Sequence, residues 1–303
     1  MLLLLGACGR AGGSGDRALE VSASFYPLAE IARRVGAEAV VVSDLTPSGA
    51  EPHDLELTAG DLRRLRQADL VLYLGGGFQP AVEDAIESLK RSHEAIDLLV
   101  GFELREPVTT GVPEGAKLGE QEHAGAADPH VWLDPVLMKG LVERVEAALA
   151  RVAPARAGDL KRRAADYSAE LDRLDAAYRS ILSACSRREM FVAHAAFGYL
   201  ADRYELDMAP IAGLAPEAEP TPRRLREAAD AAKARGATTI FFETLVSPRV
   251  AEAVAREVGA RVAVLNPIEG LTEEQDRAGK DYLSLMRDNL QSLAAGLGCT
   301  ASR

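Results

Sequence analysis

From Pro154 to Ser183 the chain carries its most regular pattern. Leu160, Ala164, Tyr167, Leu171, Leu174, Tyr178 and Ile181 step by alternating fours and threes, with Lys, Arg, Asp and Glu filling most other places. That spacing lays one apolar stripe along one continuous helix. If the helix spans the whole segment it is on the order of 45 Å long at 1.5 Å per residue. A coiled-coil seam with a second chain would need a longer, more uniform repeat. This stripe lasts about three heptads and uses small or aromatic residues at several places, which favours packing along the protein's own two halves. A helix of this kind makes a stiff joint and predicts limited closure on ligand binding.

On either side the pattern changes to short apolar, β-rich runs alternating with amphipathic helical stretches. Candidate strands in the first half are Glu20 to Ser24, Ala39 to Ser43, Leu70 to Leu74 and Ala95 to Leu99, with helices such as Pro27 to Val35 and Ala59 to Gln67 between them. In the second half the strands are Met190 to Ala193, Asp207 to Ile211, Thr239 to Phe242 and Val262 to Leu265. Helical patterns there run from about Arg223 to Ala234, Pro248 to Val258 and Lys280 to Leu293. The alternation argues for β-α units and mostly parallel sheets. The expected class is therefore α/β, two lobes joined by one long rigid helix. The division reads as a leader and linker at 1–16, an N-terminal lobe at 17–153, the linking helix at 154–186 and a C-terminal lobe at 187–303. Pro107 to Ala127, rich in Gly, Glu and Thr, reads as an exposed loop. Gly75-Gly76-Gly77 fits neither a P-loop nor a dinucleotide fingerprint and reads as a turn.

Met1-Leu2-Leu3-Leu4-Leu5-Gly6-Ala7-Cys8 looks like the remnant of a bacterial lipoprotein signal, with Cys8 as the lipidated residue. It lacks a basic leader and is shorter than a usual apolar core. The Gly-rich stretch to Asp16 suits a tether between a membrane and a folded body. A net charge of -11, with both signs interspersed, argues against a nucleic-acid surface. With Cys8 set aside, Cys185 and Cys299 remain. In an oxidising compartment they either pair or lie apart as two buried thiols, and both arrangements stay open.

Only five histidines occur in 303 residues, and three sit in marked positions at the ends of apolar runs. They are His53 in Glu51-Pro52-His53-Asp54, His130 in Asp128-Pro129-His130-Val131-Trp132-Leu133-Asp134-Pro135, and His194 in Phe191-Val192-Ala193-His194. A single histidine near a strand end is more often a hydrogen-bonded structural residue. Three of them beyond the carboxyl ends of strands, where open α/β sheets gather their ligands, point to one metal site in the cleft between lobes. His123, beside Glu122, and His93 read as solvated residues.

At these residues the chain resembles the metal-binding solute-binding proteins of ABC transporters, the cluster that captures zinc or manganese outside the cytoplasmic membrane. The resemblance runs from Val21 to about Leu297. It rests on Ser24-Phe25-Tyr26-Pro27-Leu28, Pro52-His53-Asp54-Leu55-Glu56-Leu57-Thr58, the Asp128 to Pro135 motif, the His194 segment, Phe242-Glu243 and Val264-Leu265-Asn266-Pro267-Ile268. It implies two lobes on one long helix, with His53, His130 and His194 as the first three metal ligands. The family separates its metals at the third position, a carboxylate in manganese proteins and a histidine in zinc proteins, so His194 implies zinc. Three neutral imidazoles also match zinc better than manganese, which prefers oxygen. The fourth position departs from the family, which usually has Asp where Asn266 stands. Asn266, a water, or a nearby carboxylate such as Glu51 or Glu243 would fill it, with a supporting role the better reading of Glu243. Asp134 and Trp132 are expected to shape the loop that aims His130.

The implied function is capture of Zn²⁺ and its delivery to a membrane ABC permease, by a lipid-anchored monomer in the periplasm or on the cell surface. A manganese-binding protein of the same type is the nearest alternative. A zinc hydrolase is the alternative from another class, since three histidines with an open water position can activate that water. No ligand pair has the His-Glu-x-x-His helical spacing of such enzymes, so no enzymatic activity is expected. Surface display also leaves open a cell-adhesion role.

Overall fold

The computed structural model describes residues 17–89, 94–106, 127–214 and 221–300. The first lobe runs β1 (Leu19–Ala23), α1 (Tyr26–Gly36), β2 (Val40–Asp44), α2 (Ala59–Gln67), β3 (Leu70–Tyr73), α3 (Pro80–Ser88) and β4 (Glu94–Asp97). Its four strands are all parallel in the order β2-β1-β3-β4, with Val21 paired to both Val42 and Leu70.

Next come α4 (Pro135–Val152), a 3₁₀ turn at Pro154–Arg156 and α5 (Ala157–Leu182). The second lobe follows as β5 (Glu189–Val192), α6 (Gly198–Arg203), β6 (Asp207–Pro210), α7 (Pro222–Ala234), β7 (Thr239–Phe242), α8 (Arg249–Val258) and β8 (Arg261–Val264). A short α9 (Glu273–Arg277) and α10 (Tyr282–Leu297) complete the described chain. The second sheet has the order β6-β5-β7-β8, again all parallel. Both sheets start in the middle, run to one edge and return to the other side. Each therefore has a switch point at the carboxyl ends of its two central strands, where loops splay apart and ligands can enter.

α5 is the long helix that the apolar stripe predicts, with 26 residues and a length of about 39 Å. It starts after Pro154–Arg156 because that proline forms part of a separate 3₁₀ turn. Leu160, Ala164, Tyr167, Leu171, Leu174 and Tyr178 are buried as the stripe requires. Ile181 is not: it is 37% exposed, and Leu182 takes the inward place. The stripe packs on α1 and α4 of the first lobe and on α10 of the second, so no partner chain is needed to cover it. Arg34 of α1 pairs with Glu170 of α5 at 3.4 Å and with Asp281, the N-cap of α10, at 2.5 Å.

Cys185 and Cys299 are joined by a disulfide, which ties the end of α5 to the end of α10. At Gly75–Gly77 the amides of Gly75 and Gly77 donate to Asp97 and Glu83, and Gly76 and Gly77 take φ of 77° and 85°. With its donors held by carboxylates, this segment is a turn and not a phosphate cradle. Cys8, His93, His123 and the loop read from Pro107 to Ala127, apart from Ala127 itself, lie outside the described residues.

Candidate metal centre

Four loops, each leaving a sheet or reaching over its end, bring one donor apiece to the cleft. His53 lies between β2 and α2, in a turn closed by the Leu55 amide on the Pro52 carbonyl. Thr58 then caps α2 through a reciprocal bond pair with Asp61, which ends the loop sharply. His130 precedes the 3₁₀ turn Val131–Leu133, and Asp134 caps α4 by accepting from the Val136 amide. His194 lies two residues past the end of β5, in extended backbone. Glu269 comes from the loop after β8, five residues past the strand's last residue, Val264.

The donor atoms of His53, His130, His194 and Glu269 all lie within 4.8 Å of one another. Glu269 Oε1 sits 3.0 Å from His130 Nε2, 3.5 Å from His53 Nε2 and 3.6 Å from His194 Nε2. His130, His194 and Glu269 have no exposed surface, and the His53 side chain is 12% exposed. A tetrahedral zinc with bonds of roughly 2.0–2.2 Å spaces its donors about 3.4 Å apart, so the set fits that ion with little movement. The Nε2 atoms of His53 and His194 and Oε2 of Glu269 are buried without a hydrogen-bond partner. Such orphaned donors ask for an ion to satisfy them.

Behind the donors stand two more carboxylates. Asp128 Oδ1 lies 2.7 Å from His130 Nδ1 and also accepts the His130 amide. Glu243 Oε1 lies 2.6 Å from His194 Nδ1. At His130 the Asp128 carboxylate on Nδ1 turns Nε2 toward the cluster, and at His194 Glu243 stands against Nδ1 as a close ion-pair contact. The His53 ring is met edge-on by Phe78 at 4.7 Å. Burial opposes a charge on His130 and His194, but it is outweighed. Asp128 and Glu269 raise the His130 pKa, and Glu243 and Glu269 raise that of His194 well above the ordinary value. Burial likewise opposes charge on Glu269, yet its bonds to the three imidazoles hold it well below the usual carboxylate range. The carboxylates around the imidazoles thus favour positive charge at the centre of the cluster.

Sequence reading placed the three histidines together and left the fourth position to Asn266, a water, or a carboxylate such as Glu51 or Glu243. The carboxylate that lies against the three imidazoles in the structure is Glu269. The Asn266 side-chain oxygen accepts the Ile268 amide at 2.8 Å and so builds the turn that leads to Glu269. Glu51 Oε1 accepts the His53 amide at 3.4 Å, and Glu243 supports His194 instead of joining the cluster. Glu269 was discoverable in principle, since it follows an apolar strand as the histidines do. Trp132 does shape the His130 loop, packing on Phe25 and Phe78 and donating from Nε1 to the Pro267 carbonyl of the other lobe at 2.7 Å.

A buried nest of three imidazoles and one carboxylate, closed between two parallel α/β lobes on a stiff helix, defines a metal-binding solute-binding protein. Residues 21–296 match the family described as zinc-uptake complex component A, periplasmic (ZnuA), and the chain belongs to that family. It is 35% identical to the high-affinity zinc uptake system protein ZnuA of Bacillus subtilis, covering 97% of this chain and 94% of that one. It is 34% identical to the zinc-binding lipoprotein AdcA of Streptococcus pneumoniae serotype 4, covering 92% of this chain but only 56% of that longer protein. The solved Zn(II)-bound ZnuA-like domain of S. pneumoniae AdcA superposes with a TM-score of 0.78 at 32% identity, covering 93% of this chain and 99% of that domain.

Proposed function

We propose that the protein captures Zn²⁺ outside the cytoplasmic membrane through His53, His130, His194 and Glu269, and delivers it to a membrane ABC permease. The observation that carries this reading is the convergence of three imidazole Nε2 atoms on one buried carboxylate oxygen. Three nitrogen donors with one oxygen suit zinc and leave manganese under-supplied with oxygen. Four protein donors leave no open position for an activated water, and Asp128 and Glu243 are both engaged at histidine nitrogens. This is a carrier's site rather than a hydrolase's.

The lobes are stitched across the cleft, by Trp132 to Pro267, by the Tyr282 hydroxyl to the Trp132 carbonyl, and by the Gly49 amide to the Leu271 carbonyl. Release therefore proceeds by local movement of ligand loops rather than by wide opening of the lobes. The protein works as a single chain held at the membrane through lipidated Cys8, in keeping with the lipoprotein relative.

Metal content decides the matter. Purified protein carries about one zinc per chain by elemental analysis, and His194→Ala loses it. Absence of zinc from the parent protein, or manganese retained equally by both, overturns the reading.

A further inference from the structure

Ile268 is fully buried and has a φ of +57°. A β-branched residue avoids that region, so an outlier there persists only when its surroundings enforce it, and such outliers gather at functional sites. Here the enforcing contacts are explicit. Asn266 Oδ1 accepts the Ile268 amide at 2.8 Å. Asn289, from α10, grips the Asn266 main chain on both sides. Its Oδ1 accepts the Asn266 amide at 2.8 Å and its Nδ2 donates to the Asn266 carbonyl at 2.7 Å. Trp132 holds the Pro267 carbonyl between them. Asn266 Nδ2 is buried with no hydrogen-bond partner, so this amide is used through its oxygen.

The residue that leaves this turn is Glu269. We propose that Asn266 and Asn289 are positioning residues whose task is to hold Ile268 in its left-handed conformation and so deliver the Glu269 carboxylate to the three imidazoles. The inference rests on the reading of Glu269 as a zinc ligand. Without the Asn266 acceptor the Ile268 amide is unpaired in a buried, strained turn. The backbone then relaxes toward negative φ, and the Cα–Cβ bond of the next residue swings away from the cluster. Three histidines would remain, with the fourth position given up to water.

A positioning role makes a demand that general support of the lobe does not: its effect must vanish once Glu269 cannot serve. The test is a double-mutant cycle on zinc affinity, read by competition with a chromogenic chelator. Glu269→Gln and Asn266→Ala are each expected to weaken binding by about tenfold or more. The double variant is then no weaker than Glu269→Gln alone, and Asn266→Asp, which keeps the acceptor oxygen, binds close to the parent. Equal losses from Asn266→Ala in both backgrounds overturn the positioning role, as does no loss in either. Unchanged affinity in Glu269→Gln overturns the ligand reading itself, and the proposal with it.

Ile268→Gly supplies a second comparison, aimed at the backbone strain itself. Glycine adopts φ of +57° without strain, so in that background Asn266→Ala costs less affinity than in the parent chain. An equal cost there also overturns the proposal.

Discussion

Glu243 Oε1 lies 2.6 Å from His194 Nδ1, with both side chains buried and the Nε2 of the same ring facing Glu269. The pair comes from adjacent central strands, since β5 and β7 are hydrogen-bonded neighbours. Parallel pairing fixes where their carboxyl ends stop, so the carboxylate and the imidazole meet without help from a flexible loop. Glu243→Gln removes the charge that orients the ring. Zinc affinity should fall by about 10–100-fold, the usual cost of losing such a support. Chelator competition yielding the parent's affinity would show that His194 needs no partner.

Protons compete with zinc for the same nitrogens. Because the pKa values of His130 and His194 are raised, competition extends above the ordinary histidine range near 6.5. Zinc affinity should therefore climb steadily as pH rises from about 6 to 8. In the metal-free protein the sign is opposite. Charge on these two imidazoles stabilises the fold fully below their unfolded pKa and is lost as pH rises through the raised folded values. The gap in Tm between zinc-loaded and metal-free protein should thus widen with pH. A gap that stays constant would contradict this account.

Trp132 serves both lobes with one side chain, buried among aromatic rings and bonded to the Pro267 carbonyl. Trp132→Phe keeps much of the packing and removes the donor, leaving a buried carbonyl without that partner. A loss of about 1–3 kcal/mol is expected. Urea unfolding measures it, and a variant as stable as the parent would mean that water replaces the bond at no cost.

The Cys185–Cys299 bridge closes a span of 114 residues and lies at the ends of α5 and α10. Cys185→Ser with Cys299→Ser should lower stability by about 2–4 kcal/mol. Neither cysteine belongs to the donor cluster, so zinc affinity should not change. A loss of affinity at a temperature where the variant is folded would show that the bridge also holds the cleft.

Much of the frame was legible beforehand because its signals are local. All eight predicted strands appear, with ends shifted by a residue or two, and α2 falls at the predicted Ala59 to Gln67. α4 is absent from the sequence-based helices, although its apolar residues repeat at helical spacing right after the histidine motif. Ile181 and Leu182 show the limit of such patterns. Both are apolar neighbours at the end of a helix, and only the position of the second lobe decides which one turns inward.

The histidines stood out by scarcity. With five in the chain, three at strand ends were conspicuous, whereas Glu269 is one of 46 acidic residues and had no such contrast. Sequence alone thus determined the α/β lobes, the joining helix and three of the four residues that cluster in the cleft, because periodicity and rarity are properties of the chain itself. Tertiary structure decided which carboxylate joins the histidines, which carboxylates stand behind His130 and His194, and the disulfide. Each depends on which groups meet across loops far apart in sequence, and packing settles that where no local pattern can.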